Sequence, residues 1–166
     1  MKSKKITVFT AILLLLICAG MIFFFSAQNA ESSTSMSSGF ITFLASIFFP
    51  DSDPDVLIAK YSHIVRKAAH FTEYAVLGGL AAAALSFIFH KLKTLPKYFI
   101  SVLFSAAFAA SDEYHQMFSD GRSPSVRDVM IDTCGAAVGA AIICLIAFLV
   151  RRHKEKLAVK KSSEQS

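Results

Sequence analysis

Residues 6–25 form an uninterrupted run of 20 residues without a charged side chain. A helix of that length crosses a hydrocarbon core of about 30 Å, and it satisfies its own backbone hydrogen bonds inside a bilayer. The whole chain is 54% hydrophobic and only 17% charged, which is too apolar for an ordinary water-soluble domain. These features predict an integral membrane protein.

A cleaved signal peptide is the alternative interpretation of this first run. The apolar region of a signal peptide is only about 7–15 residues long and is followed by a small-x-small cleavage site. Residues 26–30 (SAQNA) match such a site poorly. We therefore interpret the run as the first transmembrane helix.

Three further segments are long and apolar enough to span a bilayer. They lie at about residues 68–90, 98–116 and 125–150. Residues 40–49 are apolar but too short to span, and a polar, serine-rich loop is expected before them. Ser38, Thr42 and Ser46 recur every four residues, which predicts a helix lying flat at the interface with that stripe facing water.

The predicted fold class is all-α: a polytopic membrane protein with four transmembrane helices plus a short interfacial helix on the outer side. Pro50 ends the interfacial helix, and Asp53 followed by Pro54 predicts the N-cap and first residue of the next helix. We expect one membrane domain, residues 1–150, followed by a basic, disordered cytoplasmic tail, residues 151–166.

The distribution of basic residues predicts the orientation. If both termini and the loop at residues 90–97 share one side, that side holds most of the cations and only Glu155 and Glu164 as acids. Its basic residues are Lys2, Lys4, Lys5, Lys91, Lys93, Lys97, Arg151, Arg152, Lys154, Lys156, Lys160 and Lys161. Because cytoplasmic loops are enriched in Lys and Arg, both termini are expected in the cytoplasm.

With this topology, polar side chains from all four spans reach one level at the outer face. Ionisable groups close to hydrocarbon are costly and usually mark a working site. Six of them are candidates for catalysis: His70, Glu73, Asp112, Glu113, His115 and Asp128. Eight more side chains are candidates for binding a ligand: Ser26, Gln28, Lys67, Tyr74, Gln116, Arg122, Arg127 and Asp132.

Small residues predict where two of the spans pack closely. Asp128, Asp132, Gly135 and Gly139 form one stripe along the fourth span, and two glycines four residues apart allow a close helix contact. Residues 78–79, also glycines, offer the second span a similar approach. The face that packs tightly therefore carries two carboxylates at its outer end.

The three cysteines, Cys18, Cys134 and Cys144, all lie in apolar segments and are expected to be small buried hydrophobic residues. They predict neither a disulfide framework nor a zinc site, and we expect no cofactor. Carboxylates and imidazoles three residues apart admit a magnesium or manganese ion. A metal is the less favoured hypothesis, because the sequence has no HExxH or paired-cysteine motif.

Several of these polar segments together resemble the VanZ-like family, named after an accessory membrane protein of teicoplanin resistance. The matching segments are residues 25–28 (FSAQ), 66–74 (RKAAHFTEY), 111–118 (SDEYHQMF) and 121–123 (GRS), with Asp128 and Gly135. The resemblance covers about residues 6–150. It implies a small protein of the bacterial cytoplasmic membrane, linked in the founding member to reduced glycopeptide susceptibility, and it implies no settled reaction.

Three hypotheses for the outer cluster stay open. It binds a phosphorylated or lipid-linked envelope component, with Lys67, Arg122 and Arg127 holding the anionic group beside the amino end of the fourth helix. Alternatively, its acids and imidazoles catalyse hydrolysis or group transfer on such a substrate. In the third hypothesis it is an ion-pair network that only holds the helices together. The lipid bilayer is the expected partner throughout, and no nucleic acid is expected.

The orientation is testable with reporter fusions in the two connecting loops. Fusions at residue 94 and residue 121 should report opposite compartments, cytoplasmic and external respectively, because the positive loop stays inside. Paired alkaline phosphatase and green fluorescent protein fusions give complementary readouts of the same positions. The same compartment for both positions would contradict the four-span topology.

Overall fold

The computed structural model describes residues 2–28, 30–118 and 125–163. Regular structure in this part of the chain is entirely helical: α1 (Lys2–Ser26), α2 (Ala30–Phe48), α3 (Pro54–Ile88), α4 (Thr94–Gln116) and α5 (Val126–Ser163). By length and composition, α1, α3, α4 and α5 each contain a segment able to cross a membrane. The predicted all-α polytopic membrane fold is confirmed.

Helix α2 begins at Ala30, well before the predicted start at residue 40. Serine disfavours helices because its hydroxyl competes for backbone hydrogen bonds. In α2 the hydroxyls bond within the helix: Ser38 Oγ donates to the Thr34 carbonyl (2.9 Å) and Ser46 Oγ donates to the Phe43 carbonyl (2.8 Å). The prediction of a polar loop up to residue 39 was therefore wrong.

One face of α2 packs against α3. Ser37, Ile41 and Ala45 recur every four residues and are buried, and a small polar crevice between the two helices is lined by Ser37 and Arg66. Helix α2 therefore covers part of α3 at the end where α3 begins. The bulky residues on the outer face of α2 are exposed.

The start of α3 follows the sequence prediction. Asp53 is the N-cap, its carboxylate accepts a hydrogen bond from the Asp55 amide (2.9 Å), and Pro54 is the first helical residue. At 1.5 Å per residue, the 35 residues of α3 measure about 52 Å, against a hydrocarbon core of about 30 Å. The first turns of α3 therefore project beyond the hydrocarbon.

Helix α5 continues past the predicted end of the fourth span at residue 150. Its last turns include Arg151, whose Nε donates to Glu155 Oε1 at 2.9 Å across one helical turn. A pair with this spacing stabilises an exposed helix by only about 0.2–0.5 kcal/mol. The expected disorder of the tail stays a prediction.

The closest helix packing joins α3 to α5 through glycines. A Cβ atom on Gly135 or Gly139 would lie closer than 3.0 Å to the backbone of Phe71 or Ala75 respectively, and one on Gly78 would meet the backbone of Ala136. Only glycine fits at these three positions. The close approach predicted from the small residues of both helices is confirmed.

A cluster of buried side chains joins all four long helices beside this contact. Tyr74 and Leu77 of α3 are fully buried there, packed with Ile22 of α1, Ala109 of α4 and Ala136 of α5. The cluster lies close to the end at which α1 and α4 terminate. It therefore fixes the relative positions of the helices beneath the polar residues.

The cysteines differ from one another in burial. Cys18 and Cys144 are buried among hydrophobic neighbours, as expected, whereas Cys134 is exposed on α5. All three are free thiols. The expectation of burial was wrong for Cys134, whose side chain lies on the surface of the helix bundle.

The glycine contact generates a stability prediction. Gly139→Ala and Gly135→Ala should each destabilise the protein, because overpacking costs about 1–3 kcal/mol. The loss of stability is measured by heating the protein in detergent and recording the fraction that stays monodisperse at each temperature.

Gly20→Ala is the matched control, since a Cβ at Gly20 of α1 meets nothing within 4 Å. This variant should be as stable as the parent or slightly more stable, because alanine favours helices over glycine. Equal thermal midpoints for Gly139→Ala, Gly20→Ala and the parent would contradict the close packing of α3 on α5.

Candidate functional site

Polar side chains of four helices meet at one end of the bundle, which we call the polar end. Gln116 at the last residue of α4 donates from Nε2 to Ser26 Oγ (2.7 Å), at the last residue of α1, and to Asp112 Oδ2 (3.3 Å). All three side chains are buried, with Ser26 fully inaccessible. Gln116 thus ties α1 to α4 within the protein.

A second contact ties α4 to α5. The Glu113 carboxylate accepts a hydrogen bond from the Ser125 amide (2.6 Å), immediately before the first residue of α5. Amides at a helix N-terminus carry partial positive charge, so a carboxylate there is stabilised. Glu113 therefore occupies the Ser125 amide, and the prediction that Lys67, Arg122 and Arg127 hold an anion beside this helix end stays a prediction.

An ion pair ties α3 to α5. Lys67 Nζ pairs with Asp128 Oδ2, and both side chains are about one-fifth exposed, at 21% and 23%. The pair lies one to two turns from the glycine contact on both helices. The backbone approach of α3 to α5 therefore brings the two charges together.

Buried acids gather behind this ion pair. The Asp132 carboxylate, 5% exposed, interacts electrostatically with Asp112, Glu113 and Asp128, and with Lys67 as the nearby cation. Crowded carboxylates repel one another where water is excluded. The hydrogen bonds and the Lys67 charge offset this repulsion.

Two more predicted residues of α3 border the acids. Tyr74 is fully buried and its hydroxyl interacts with the Asp112 carboxylate. Glu73 also interacts with Asp112, and its Oε2 lies 3.6 Å from His70 Nδ1. Catalytic and ligand-binding candidates are thus joined in one cluster.

Three predicted site residues lie apart from this cluster or outside the described residues. His115 packs its ring on Phe23 of α1, with centroids 4.3 Å apart, and its buried Nδ1 has no hydrogen-bond partner in the described part of the chain. Gln28 lies in the turn after α1, where its backbone N–H donates to the Phe25 carbonyl (3.3 Å). Arg122 lies outside the described residues.

An open cleft of about 750 Å³ lies between α3 and α5 at the polar end. Its charged and imidazole lining comes from His63, Arg66, Lys67, His70, Arg127 and Asp128. Gln116 also reaches the cleft, so one side chain connects the opening to the buried hydrogen bonds. Because the cleft is open, an outside molecule can reach it.

Arg66 and His63 are site residues that the sequence analysis did not select. Both residues lie in the first half of helix α3, within two turns of His70. Residues 63, 66, 67 and 70 share one helical face, and that spacing was the signal that identifies them. The cleft therefore has more positive charge than was predicted.

No group of three or more His, Cys, Asp or Glu side chains is arranged to hold a metal ion among the residues that the structure describes. The acids nearest the cleft already have protein partners, Asp128 with Lys67 and Glu113 with Ser125. The described cleft residues offer a ligand hydrogen bonds, charges and apolar contacts.

Comparison with known proteins gives one match. The model of the VanZ/LLP1 family matches residues 9–148, which include every described residue of the cleft. Comparisons with curated proteins and with solved structures found no match. The match extends over most of the chain and over all four apolar helices, and the chain is therefore a multi-pass membrane protein of the VanZ/LLP1 family.

Proposed function

We propose that the cleft binds an anionic component of the bacterial cell envelope, phosphorylated or lipid-linked, on the outer side of the cytoplasmic membrane. The observation that carries this proposal concerns the cations of the cleft. Lys67 is paired with Asp128, whereas neither Arg66 nor Arg127 has an ion-pair partner within the described residues. A guanidinium binds phosphate or carboxylate through two parallel charge-assisted hydrogen bonds.

The two arginines belong to opposite walls of the cleft. Arg66 is half-buried on α3, where its charge is partly shielded from water, and Arg127 is exposed in the first turn of α5. A ligand between the walls contacts both helices. Arg122, which follows α4 in the sequence, is a further candidate for the same ligand.

The buried polar groups have a supporting role in this proposal. Ser26, Asp112 and Asp132 are at most 5% exposed, so direct contact with a ligand would require the helices to separate. The hydrogen bonds from Gln116 to Ser26 and Asp112 instead hold the ends of α1 and α4 together. Gln116 lines the cleft and also forms these bonds. The bonds therefore restrict the position of one side chain of the binding surface.

The cellular setting follows from charge and family. The excess of Lys and Arg at the termini and at residues 90–97 favours cytoplasmic termini, which puts the polar end outside. VanZ-like proteins are linked to teicoplanin resistance. By covering an anionic wall precursor or lipid headgroup, this chain would lower susceptibility to such a drug.

Replacing the cleft arginines tests the binding role. Arg66→Gln and Arg127→Gln should each weaken binding of undecaprenyl phosphate or glycerol phosphate about tenfold, because a hydrogen bond to a charged group contributes roughly 1.5–3 kcal/mol. Native mass spectrometry of the purified full chain measures the bound fraction. Teicoplanin susceptibility of cells at equal protein abundance gives a second readout.

Lys60→Gln is the matched control. Lys60 is exposed on α3, carries the same charge as the arginines and lies over the Tyr61 ring (5.2 Å) instead of lining the cleft. Its replacement should leave binding of both probes unchanged. Equal losses in all three variants would mean that only general positive charge attracts the probe, and no loss in any variant would contradict an anion site in the cleft.

Catalysis is a second candidate function, favoured by the pair of His70 and Glu73. His70 lines the cleft, and its Nδ1 lies 3.6 Å from Glu73 Oε2. A carboxylate beside an imidazole orients the ring and stabilises its protonated form, which is the arrangement of a general base. Asp128 next to Lys67 adds a charged pair at the same opening.

Catalysis predicts a chemical product. Purified protein should release inorganic phosphate from undecaprenyl diphosphate, and His70→Asn should abolish that release while the bound fraction of the lipid stays unchanged. Phosphate release measured over time with parent and variant decides the question. Retention of the lipid without any product would leave binding alone as the role of the cleft.

A further inference from the structure

On the basis of the proposed function, we infer that the ligand of the cleft is a membrane amphiphile: its phosphate binds between Arg66 and Arg127, and its hydrocarbon chain lies along the apolar part of the same cleft and enters sideways from the bilayer. This narrows the ligand from any envelope anion to a lipid. Glycerophospholipids and isoprenyl phosphates share the required chemistry.

The first argument is the division of the α3 wall into two stripes. Arg66 and His70 lie on the stripe that carries the cations and imidazoles, and the adjacent stripe carries Ile64, Ala68 and Phe71 at spacings of four and three. All five line the cleft. A polar anion such as a free sugar phosphate has no hydrocarbon to pack against the apolar stripe. An amphiphile can contact both stripes, the charged one with its phosphate and the apolar one with its chain.

On the α5 wall the charged and apolar residues are instead separated along the helix. Arg127 and Ile131 are four residues apart, so they lie on one face of α5, and both line the cleft. The cation is nearer the helix start and the apolar side chain is one turn further into the span. A ligand matching this order has its charge at the polar end and its hydrocarbon toward the membrane interior.

The floor of the cleft determines where a chain can go. Below the cleft the backbones of Phe71 and Gly135 are in contact, and Tyr74 beneath them is fully buried. A hydrocarbon chain therefore has no route into the bundle between these helices. It leaves along the outer surface of α5, where Val138, two turns after Ile131, is 46% exposed.

The dimensions agree with a ligand larger than a phosphate ion. The cleft measures about 750 Å³, whereas one water molecule occupies about 30 Å³ in the liquid. Pockets for organic ligands generally measure about 300–1,000 Å³. The volume accommodates a headgroup together with the first part of a chain.

The absence of tryptophan from the sequence permits a direct test. A single tryptophan introduced by Ile64→Trp reports on the cleft, and one introduced by Phe24→Trp reports on α1 near the polar end. Both native side chains are well exposed, at 59% and 67%, so both replacements should fold. Each variant of the full chain is placed in nanodiscs of neutral lipid that contain a small fraction of phosphatidylglycerol with brominated chains.

Bromine quenches tryptophan at short range, so quenching measures how near the chains approach. Brominated neutral lipid measures how far each position is exposed to the bulk bilayer, and quenching by brominated phosphatidylglycerol is expressed relative to it at the same position. We expect stronger relative quenching at position 64 than at position 24, and loss of the difference when Arg66→Gln and Arg127→Gln are added to the Ile64→Trp variant. Competition by unbrominated undecaprenyl phosphate, compared with unbrominated phosphatidylglycerol, distinguishes an isoprenyl phosphate from a glycerophospholipid.

Equal quenching at the two positions, together with arginine-dependent binding of glycerol phosphate, would overturn this inference and leave the proposed anion site intact. Equal quenching with no arginine-dependent binding of any probe would overturn both. Stronger quenching at position 64 that persists without the arginines would show attraction by the apolar stripe alone, which also contradicts the inferred phosphate contact.

Discussion

The contact between the backbones of α3 and α5 is the constraint on which the polar end depends. Without side chains at Gly135 and Gly139, α5 lies directly against Phe71 and Ala75 of α3. Above that contact the helices carry Lys67 and Asp128, which are brought into an ion pair, and they separate enough to leave a cleft. The same feature therefore forms both the floor of the cleft and the charge pairing on its wall.

The polar groups divide into two sets according to their access to water. Ser26, Gln116 and Glu113 bond across helices, and these bonds satisfy groups that are expensive to desolvate. These hydrogen bonds link α1 to α4 and α4 to the start of α5, and the third hypothesis, a purely structural ion-pair network, stays a prediction. Arg66 and Arg127 belong to the accessible set, where a charge has water or a ligand as its partner. The bonds of the buried set are therefore compatible with the binding proposed for the accessible set.

Hydropathy and glycine spacing were sufficient to predict the four spans and the α3–α5 contact, because both depend on the period of the helix. The cross-helix partners were not predictable in the same way. Glu113 bonds to Ser125 and Lys67 pairs with Asp128. These partners depend on how each helix is rotated about its axis and shifted along it relative to its neighbour, and residue spacing within one segment does not determine either quantity. The extent of α2 was missed because serine was judged by propensity, although its hydroxyls bond back to helix carbonyls.

The same limit applies to the cleft. The sequence indicated Lys67, His70 and Arg127 through their position at the predicted rim, and the structure has them lining one opening. Arg66 was not among the predicted site residues, although it lies on the same helical face as His70. A helix longer than the bilayer is thick extends the site into the headgroup region, and composition alone does not mark that extension.

The bond from the Ser125 amide to Glu113 has a consequence for the connection between α4 and α5. It joins the last turn of α4 directly to the start of α5. The two helix ends therefore do not depend on the connecting residues alone to stay together. Insertions into that link, or its cleavage by a protease, would cost little free energy, because the loop-closure entropy rises only slowly with length. The length of the connection between α4 and α5 can accordingly vary without loosening the contact between these two helices.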